Sequence, residues 1–429
     1  MYRRFISARL DAALADTRVV LLSGARQTGK STLVEHLASE RGGHYLTLDD
    51  PATASLARSD PAALVRSAGN FLVLDEVQHA PELFPALKRV VDGDPRPGRF
   101  LLTGSANILT VPKIAESLAG RIEILPLSPL SQGELAGTEW SLVDALFGAE
   151  SWSIATVVQD RVAVCERLIA GGFPEAVARP PGGRRDAWFR SYLTSLLQRD
   201  IRDLGNIEGL TDLPRLLGLL AARTSALMNL SEVSRAIGIA HTTLRRYLAL
   251  LEATFVLQPL PAWSANVGKR FVRSPKLHLL DSGLTAHLRG VGDAQALARS
   301  DDIGPLLETF VVQEVRTQLG WSAQAARPYH FRTPSGREVD LVLEAPGQRV
   351  VGIEVKAGAS VSPRDCAGLR ALAEVAGKNF VRGVVLYLGD QRLFLGDDLW
   401  ALPLSALWSP LVEDRVKSRS RGRRSRHPR

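Results

Sequence analysis

Cysteine is nearly absent from this 429-residue chain. Only Cys165 and Cys366 are present, far apart, which excludes a disulfide framework and points to a reducing, cytoplasmic setting. The eight histidines are scattered, so no zinc-ligand spacing forms with two distant cysteines. No apolar run approaches the roughly 18 residues of a membrane span, so no membrane partner is expected. The N-terminus carries arginines but lacks a continuous apolar stretch and includes Asp11 and Asp16, which suits neither a secretory signal nor a transit peptide. Most of the chain also lacks an excess of charge: the net value is +8, and eight Lys or Arg with no acid fall between Arg415 and Arg429. That end has no apolar residue after Val416, so 409–429 is expected to be a disordered basic tail able to meet phosphate without reading sequence. With 45% hydrophobic residues, the remainder can fill several cores.

The most informative segment is GARQTGKST, Gly24 to Thr32, which fits G-x-x-x-x-G-K-[ST]. An apolar, β-branched run ending at Leu22 precedes it, and Leu33, Val34 and Leu37 follow at helical spacing, giving strand, glycine loop and helix in order. Loop amides, including those of Gln27 and Thr28, and the free donors at the helix start would converge on phosphate oxygens. Gly24 and Gly29 supply backbone that a Cβ would obstruct. Lys30 would reach the β and γ phosphates of ATP as a point charge, and Ser31, next to Thr32, would complete the shell of a Mg²⁺ ion.

Asn70 to Glu76 is an apolar run ending in paired carboxylates, as a central parallel strand ends at the edge where ligands bind. Asp75 would hold the magnesium through water, and Glu76 would polarise a water for attack on the γ-phosphate. A third strand candidate, Arg99 to Asn107, ends in Thr103, Ser105 and Asn107, which could meet that water or the γ-phosphate. It resembles the sensor strand of AAA-type ATPases. Arg121 could place a positive charge on the transition state, in cis or across a subunit boundary of a homo-oligomer; the alternative is an ordinary surface arginine.

The strand-helix alternation to about residue 130 predicts an α/β fold with a parallel sheet and helices on both faces, the P-loop NTPase arrangement, over 1–135. A helical segment is expected over 136–215, with no chemistry assigned to it. Asn229 to Glu252 has helix-turn-helix spacing: a helix capped by Ser231, a turn at Gly238 and a second helix from about Thr242. His241, Thr242, Arg245 and Arg246 would face a DNA major groove, and Phe255 to Leu280 could form a β wing, making 216–294 a winged-helix-like module. Plain packing beside an ATPase core is the other reading.

The block 295–408 is read as a helix over Leu306–Arg316 carrying Glu308, then strands over Tyr329–Arg332, Glu338–Glu344 and Arg349–Lys356, a helix from Pro363 to Ala376 and a strand over Gly383–Leu388. Side-chain alternation puts Glu354 and Lys356 on one face, where Asp340 can join them. Asp340 and Glu354 could bind Mg²⁺, with Lys356 orienting hydroxide for phosphodiester attack. This order resembles the PD-(D/E)XK nuclease core, although Val339 stands where the first motif has proline.

End to end, the chain resembles the prokaryotic AAA-type ATPases in which an archaeal-type ATPase domain precedes a domain of unknown function with a restriction-endonuclease-like fold. The resemblance rests on Gly24–Leu33, Leu72–Gln78, Leu101–Asn107, Ser117–Arg121, Gly171–Val177, Arg199–Ile201, Leu307–Glu314, Glu338–Glu344 and Ile353–Gly358. It implies ATP binding and hydrolysis and leaves the biological substrate undefined; taken with the residues above, the expectation is a Mg-ATP hydrolase that couples nucleotide state to a nucleic-acid-directed C-terminal module. Two alternatives stay open: a nuclease for which ATP is a regulatory ligand, and a nucleotide-gated switch for a protein partner.

Overall fold

The computed structural model describes residues 2–67, 69–105, 118–148, 160–201 and 210–409. Its first sheet has five parallel strands, β1 (Val19–Ser23), β2 (His44–Thr47), β3 (Leu72–Asp75), β4 (Phe100–Gly104) and β5 (Ile122–Pro126), in the order β2-β3-β4-β1-β5. Because strand side chains alternate, each strand feeds two cores. Leu21, Leu72, Leu74, Phe100 and Leu102 pack toward the helices Pro51–Ser59, Pro61–Arg66 and Leu83–Gly93. Val20, Leu22, Val73, Leu101 and Leu125 pack toward Ser7–Asp16 and Lys30–Glu40. Strands buried on both faces produce the continuous apolar runs legible in the sequence. The edge strand β2 carries no such run and is only half-buried, so composition does not announce it.

Within 160–201 the chain forms the helices Arg161–Ala170, Pro174–Val177 and Gly183–Ser195. The aromatic residues Phe173, Trp188, Phe189 and Tyr192 share one core with Leu213–Leu220, Leu244, Leu248, Leu277 and Leu279. The boundary drawn at 215/216 therefore falls inside a single core. The helix pair is present as Leu230–Ile237 and His241–Ala253, separated by Gly238 at φ 83°. Its first helix is capped by Asn229 rather than Ser231, the Asn229 side chain accepting from the Glu232 amide at 3.2 Å. The segment expected as a β wing makes isolated antiparallel bridges, Leu257 to Leu279 and Leu260 to Lys276, instead of continuous strands. Pro259, Pro261 and Pro275 remove the donors that a longer ladder needs.

The second sheet is mixed. β6 (Arg327–Arg332), β7 (Glu338–Ala345) and β8 (Arg349–Lys356) form an antiparallel meander; the helix Ala367–Ala376 crosses over to β9 (Phe380–Tyr387), parallel to β8. β10 (Leu393–Gly396) and β11 (Leu399–Pro403) complete the order β10-β11-β9-β8-β7-β6. A long helix, Ile303–Leu319, packs on this sheet and carries both Glu308 and Glu314.

Candidate functional site

All five strands of the first sheet run the same way, so their C-terminal ends meet at one edge. The loop after β1 and the residues ending β3 and β4 are brought together there. Gly24 is required by contact: a Cβ on it would lie 2.2 Å from the Leu127 carbonyl oxygen. Gly29, at φ 93°, is required by conformation and starts the helix Lys30–Glu40. Gln27 also takes a positive φ, 61°, turning the loop back on itself. The Thr28 hydroxyl donates to the Ala25 carbonyl at 3.0 Å, and the Lys30 ammonium donates to the carbonyls of Gly24 and Ala25 at 2.9 Å each.

Asp75 accepts from Ser31 Oγ at 3.2 Å, from the Tyr45 hydroxyl at 2.8 Å and from Thr103 Oγ1. Burial and the neighbouring Asp75 carboxylate raise the Tyr45 phenol. Glu76 adopts a left-handed backbone, φ 57°, and its amide donates to Thr103 Oγ1 at 3.0 Å. Its carboxylate accepts from Gln78 Nε2 at 2.5 Å and from the Ser105 amide at 3.2 Å. Burial pushes the Glu76 carboxyl upward, but Lys30, the Gln78 and Ser105 hydrogen bonds and Arg26 outweigh it, and the net direction is down. Glu76 is thus a buried carboxylate kept ionised near neutral pH.

This edge opens on a cleft of about 580 Å³ whose opposite wall is formed by Glu175, Arg179, Trp188, Ser191 and Tyr192. Sequence reasoning assigned those residues nothing. The signal that could have found them is Gly171-Gly172: a Cβ on Gly172 would lie 2.2 Å from the Leu130 carbonyl oxygen, so the glycine pair docks the segment beside the end of β5. Arg4 was missed as well. Its guanidinium donates to the carbonyls of Thr28 and Ser128 and to the buried Glu134 carboxylate, bracing the loop from behind.

Two further catalytic residues were expected here, Asn107 and Arg121. Asn107 lies outside the described residues. Arg121 precedes β5 at the opposite edge of the sheet, five residues from the strand's other end, or about 17 Å of strand. It is committed to Asp92 through two contacts, Nε at 2.5 Å and Nη2 at 3.1 Å. A role in cis is therefore excluded by position.

In the second sheet, Glu308, Asp340, Glu354 and Lys356 do meet at one edge. Lys356 Nζ contacts Glu354 Oε1 at 2.9 Å, and Asp340 Oδ2 accepts from the Val355 amide at 2.9 Å. The arrangement nevertheless does not fit the expected Mg²⁺. The ammonium of Lys276 stands among the carboxylates, 2.7 Å from Glu308, 2.5 Å from Glu338 and 3.0 Å from Asp340. Among the described residues no group of three or more His, Cys, Asp or Glu is disposed to hold a metal ion. Burial and the Asp340 charge raise Glu354 to about 8 and hold Glu308 well above the carboxylate range. Lys276, which burial alone would lower, is raised by Asp340, Glu308 and Glu338.

The parallel sheet, phosphate-type loop and acid pair define an AAA-type P-loop domain, and residues 16–136 match the AAA domain family. Residues 162–295 and 303–407 match two domains of unknown function, DUF8612 and DUF4143. The chain belongs to the same family as the uncharacterized proteins Rv2008c of Mycobacterium tuberculosis and Mb2031c of Mycobacterium bovis. It is 32% identical to each over 403 residues, covering 94% of this chain and 83% of theirs. Among solved structures it is similar to the Thermotoga maritima RuvB Holliday junction branch migration motor, with 20% identity, a TM-score of 0.29, and coverage of 59% of this chain and 88% of that one. AMPPCP-bound DnaA from Aquifex aeolicus gives 13%, 0.28, 58% and 85%. Overlaps this loose carry no argument about activity. No helix among the described residues is long and apolar enough to cross a membrane.

Proposed function

We propose that this protein binds and hydrolyses ATP in the cleft between the phosphate loop and the helix Gly183–Ser195, and that nucleotide state acts on the C-terminal half. The observation that carries the reading is the ionised Glu76 carboxylate held by Gln78 and Ser105 within electrostatic reach of Lys30. A water attacking the γ-phosphorus would give its proton to Glu76 as the bond to the β-phosphate oxygen breaks, leaving ADP and phosphate. Lys30 and the loop amides would neutralise the phosphate oxygens. Ser31 and Asp75, a hydroxyl and a carboxylate 3.2 Å apart, are the hard oxygen donors that suit Mg²⁺. That ion would offset the triphosphate charge.

DNA is the partner class favoured for the C-terminal half, because His241, Thr242 and Arg245 are exposed at the start of the second helix of the helix-turn-helix pair. The experiment is ATP turnover by wild type and Glu76→Gln with and without double- and single-stranded DNA. The variant is expected to retain ATP and lose turnover by about 10²-fold or more. Unchanged turnover would reject Glu76 as the base, and indifference of wild type to DNA would favour a protein-directed switch.

A further inference from the structure

An ammonium has three N–H donors, and Lys276 meets three carboxylates, those of Glu308, Glu338 and Asp340. The lysine is 2% exposed, and its backbone is fixed on the 256–280 segment: its amide donates to the Leu260 carbonyl at 2.9 Å and the Leu260 amide donates back at 2.8 Å. Nearby, Glu354 is 8% exposed, and its Oε2 is buried without a hydrogen-bond partner. The second oxygen of Asp340 is held by the Val355 amide, so the acid is oriented independently of the lysine. The histidines close by do not supply the missing cation. His278 and His330 are buried, and burial lowers both, His330 to about 4.

We propose that Lys276 is the resident cation of the C-terminal carboxylate cluster: its ammonium stands among Glu308, Glu338 and Asp340 and neutralises there the charge for which a divalent ion was expected. By the same contacts it straps the 256–280 segment to β7 and to the helix Ile303–Leu319. Without the lysine, the cations paired with these acids among the described residues are Lys356 on Glu354 and Arg332 on Glu338, the latter at 3.5 Å. A small divalent cation is the ligand chemistry that such oxygens select, and Mn²⁺ is a spectroscopic probe for it. This inference does not depend on ATP hydrolysis.

The test uses the full chain without nucleotide in four forms: wild type, Lys276→Met, Asp340→Asn and the double variant. Bound Mn²⁺ is read from loss of the free-ion electron paramagnetic resonance signal. Ions bound elsewhere, including beside the phosphate loop, are common to all four and cancel in the differences. Wild type and Asp340→Asn are expected to bind Mn²⁺ alike. Lys276→Met is expected to take up one additional ion at least tenfold more tightly, and the double variant to lose it. A wild-type site that vanishes in Asp340→Asn would overturn the proposal, since the metal would then displace the lysine unaided. A folded Lys276→Met that gains no ion would overturn it equally. Should Lys276→Met fail to fold, the comparison of wild type with Asp340→Asn decides by itself: equal binding supports the proposal and unequal binding refutes it.

Discussion

The guanidinium of Arg4 donates to the carbonyl of Thr28 at 2.6 Å, so a side chain from the N-terminal segment holds the phosphate loop in its turn. The same group pairs with Glu134 at 3.0 Å with both side chains buried, and Glu134 in turn closes a capping box with Ser131. Loop, N-terminus and the segment after β5 are thereby joined through one cation.

Arg4→Ala should therefore be severe. Removing one member of a buried pair strands the other, at a cost of about 3–5 kcal/mol. The lower denaturant midpoint should be partly restored in Arg4→Ala/Glu134→Gln, where no uncompensated carboxylate is left. A single variant within about 1 kcal/mol of wild type would show that the pair contributes little.

Arg121 gives the opposite expectation. Its contacts with Asp92 lie at the surface and far from the loop, so Arg121→Ala should leave ATP turnover per isolated subunit unchanged. A loss of about 10³-fold or more would show that the residue serves a neighbouring subunit's site, and it should then depend on protein concentration.

The helix Ile303–Leu319 supplies a pH dependence. Glu314 is buried, accepts from the Gln132 amide at 3.1 and 3.0 Å, and is raised by burial to about 8; Asp281, also buried, rises to about 6. A carboxyl whose folded value lies above its unfolded one stabilises most fully below the unfolded value. That contribution is lost as pH climbs through the folded one, because the native state binds the extra proton. The thermal midpoint of wild type should fall between about pH 5 and 8, and Glu314→Gln should flatten that slope. An unchanged slope would assign the dependence to other groups.

Gly24→Ala is expected to disrupt the loop without touching its chemistry, since its Cβ would meet the Leu127 carbonyl oxygen at 2.2 Å. ATP affinity should drop sharply while the second sheet stays folded. Retained affinity would mean that the loop relaxes around the added methyl.

The phosphate loop and the acid pair could be read in advance because their geometry is local. A short run of residues sets the turn, and an apolar strand delivers Asp75 and Glu76 to the sheet edge. The helix carrying Glu308, the strands β6 to β9 and the helix between β8 and β9 were equally legible, since β-branched alternation and glycine turns are near-neighbour signals, whereas the strands β10 and β11 were not read. β2, half-exposed and without an apolar run, was not.

The chemistry of the second site lay beyond local reading. Glu354 and Lys356 share a face by strand alternation alone, whereas Lys276 reaches Asp340 across 64 residues. Arg4 reaches Glu134 across 130. An ion pair between distant residues leaves no spacing in the chain, because it is created when two separately formed elements pack. Residue order was enough to specify a loop that wraps phosphate. Packing alone decided that Arg121 stands at the wrong edge and that an ammonium sits where a metal was expected.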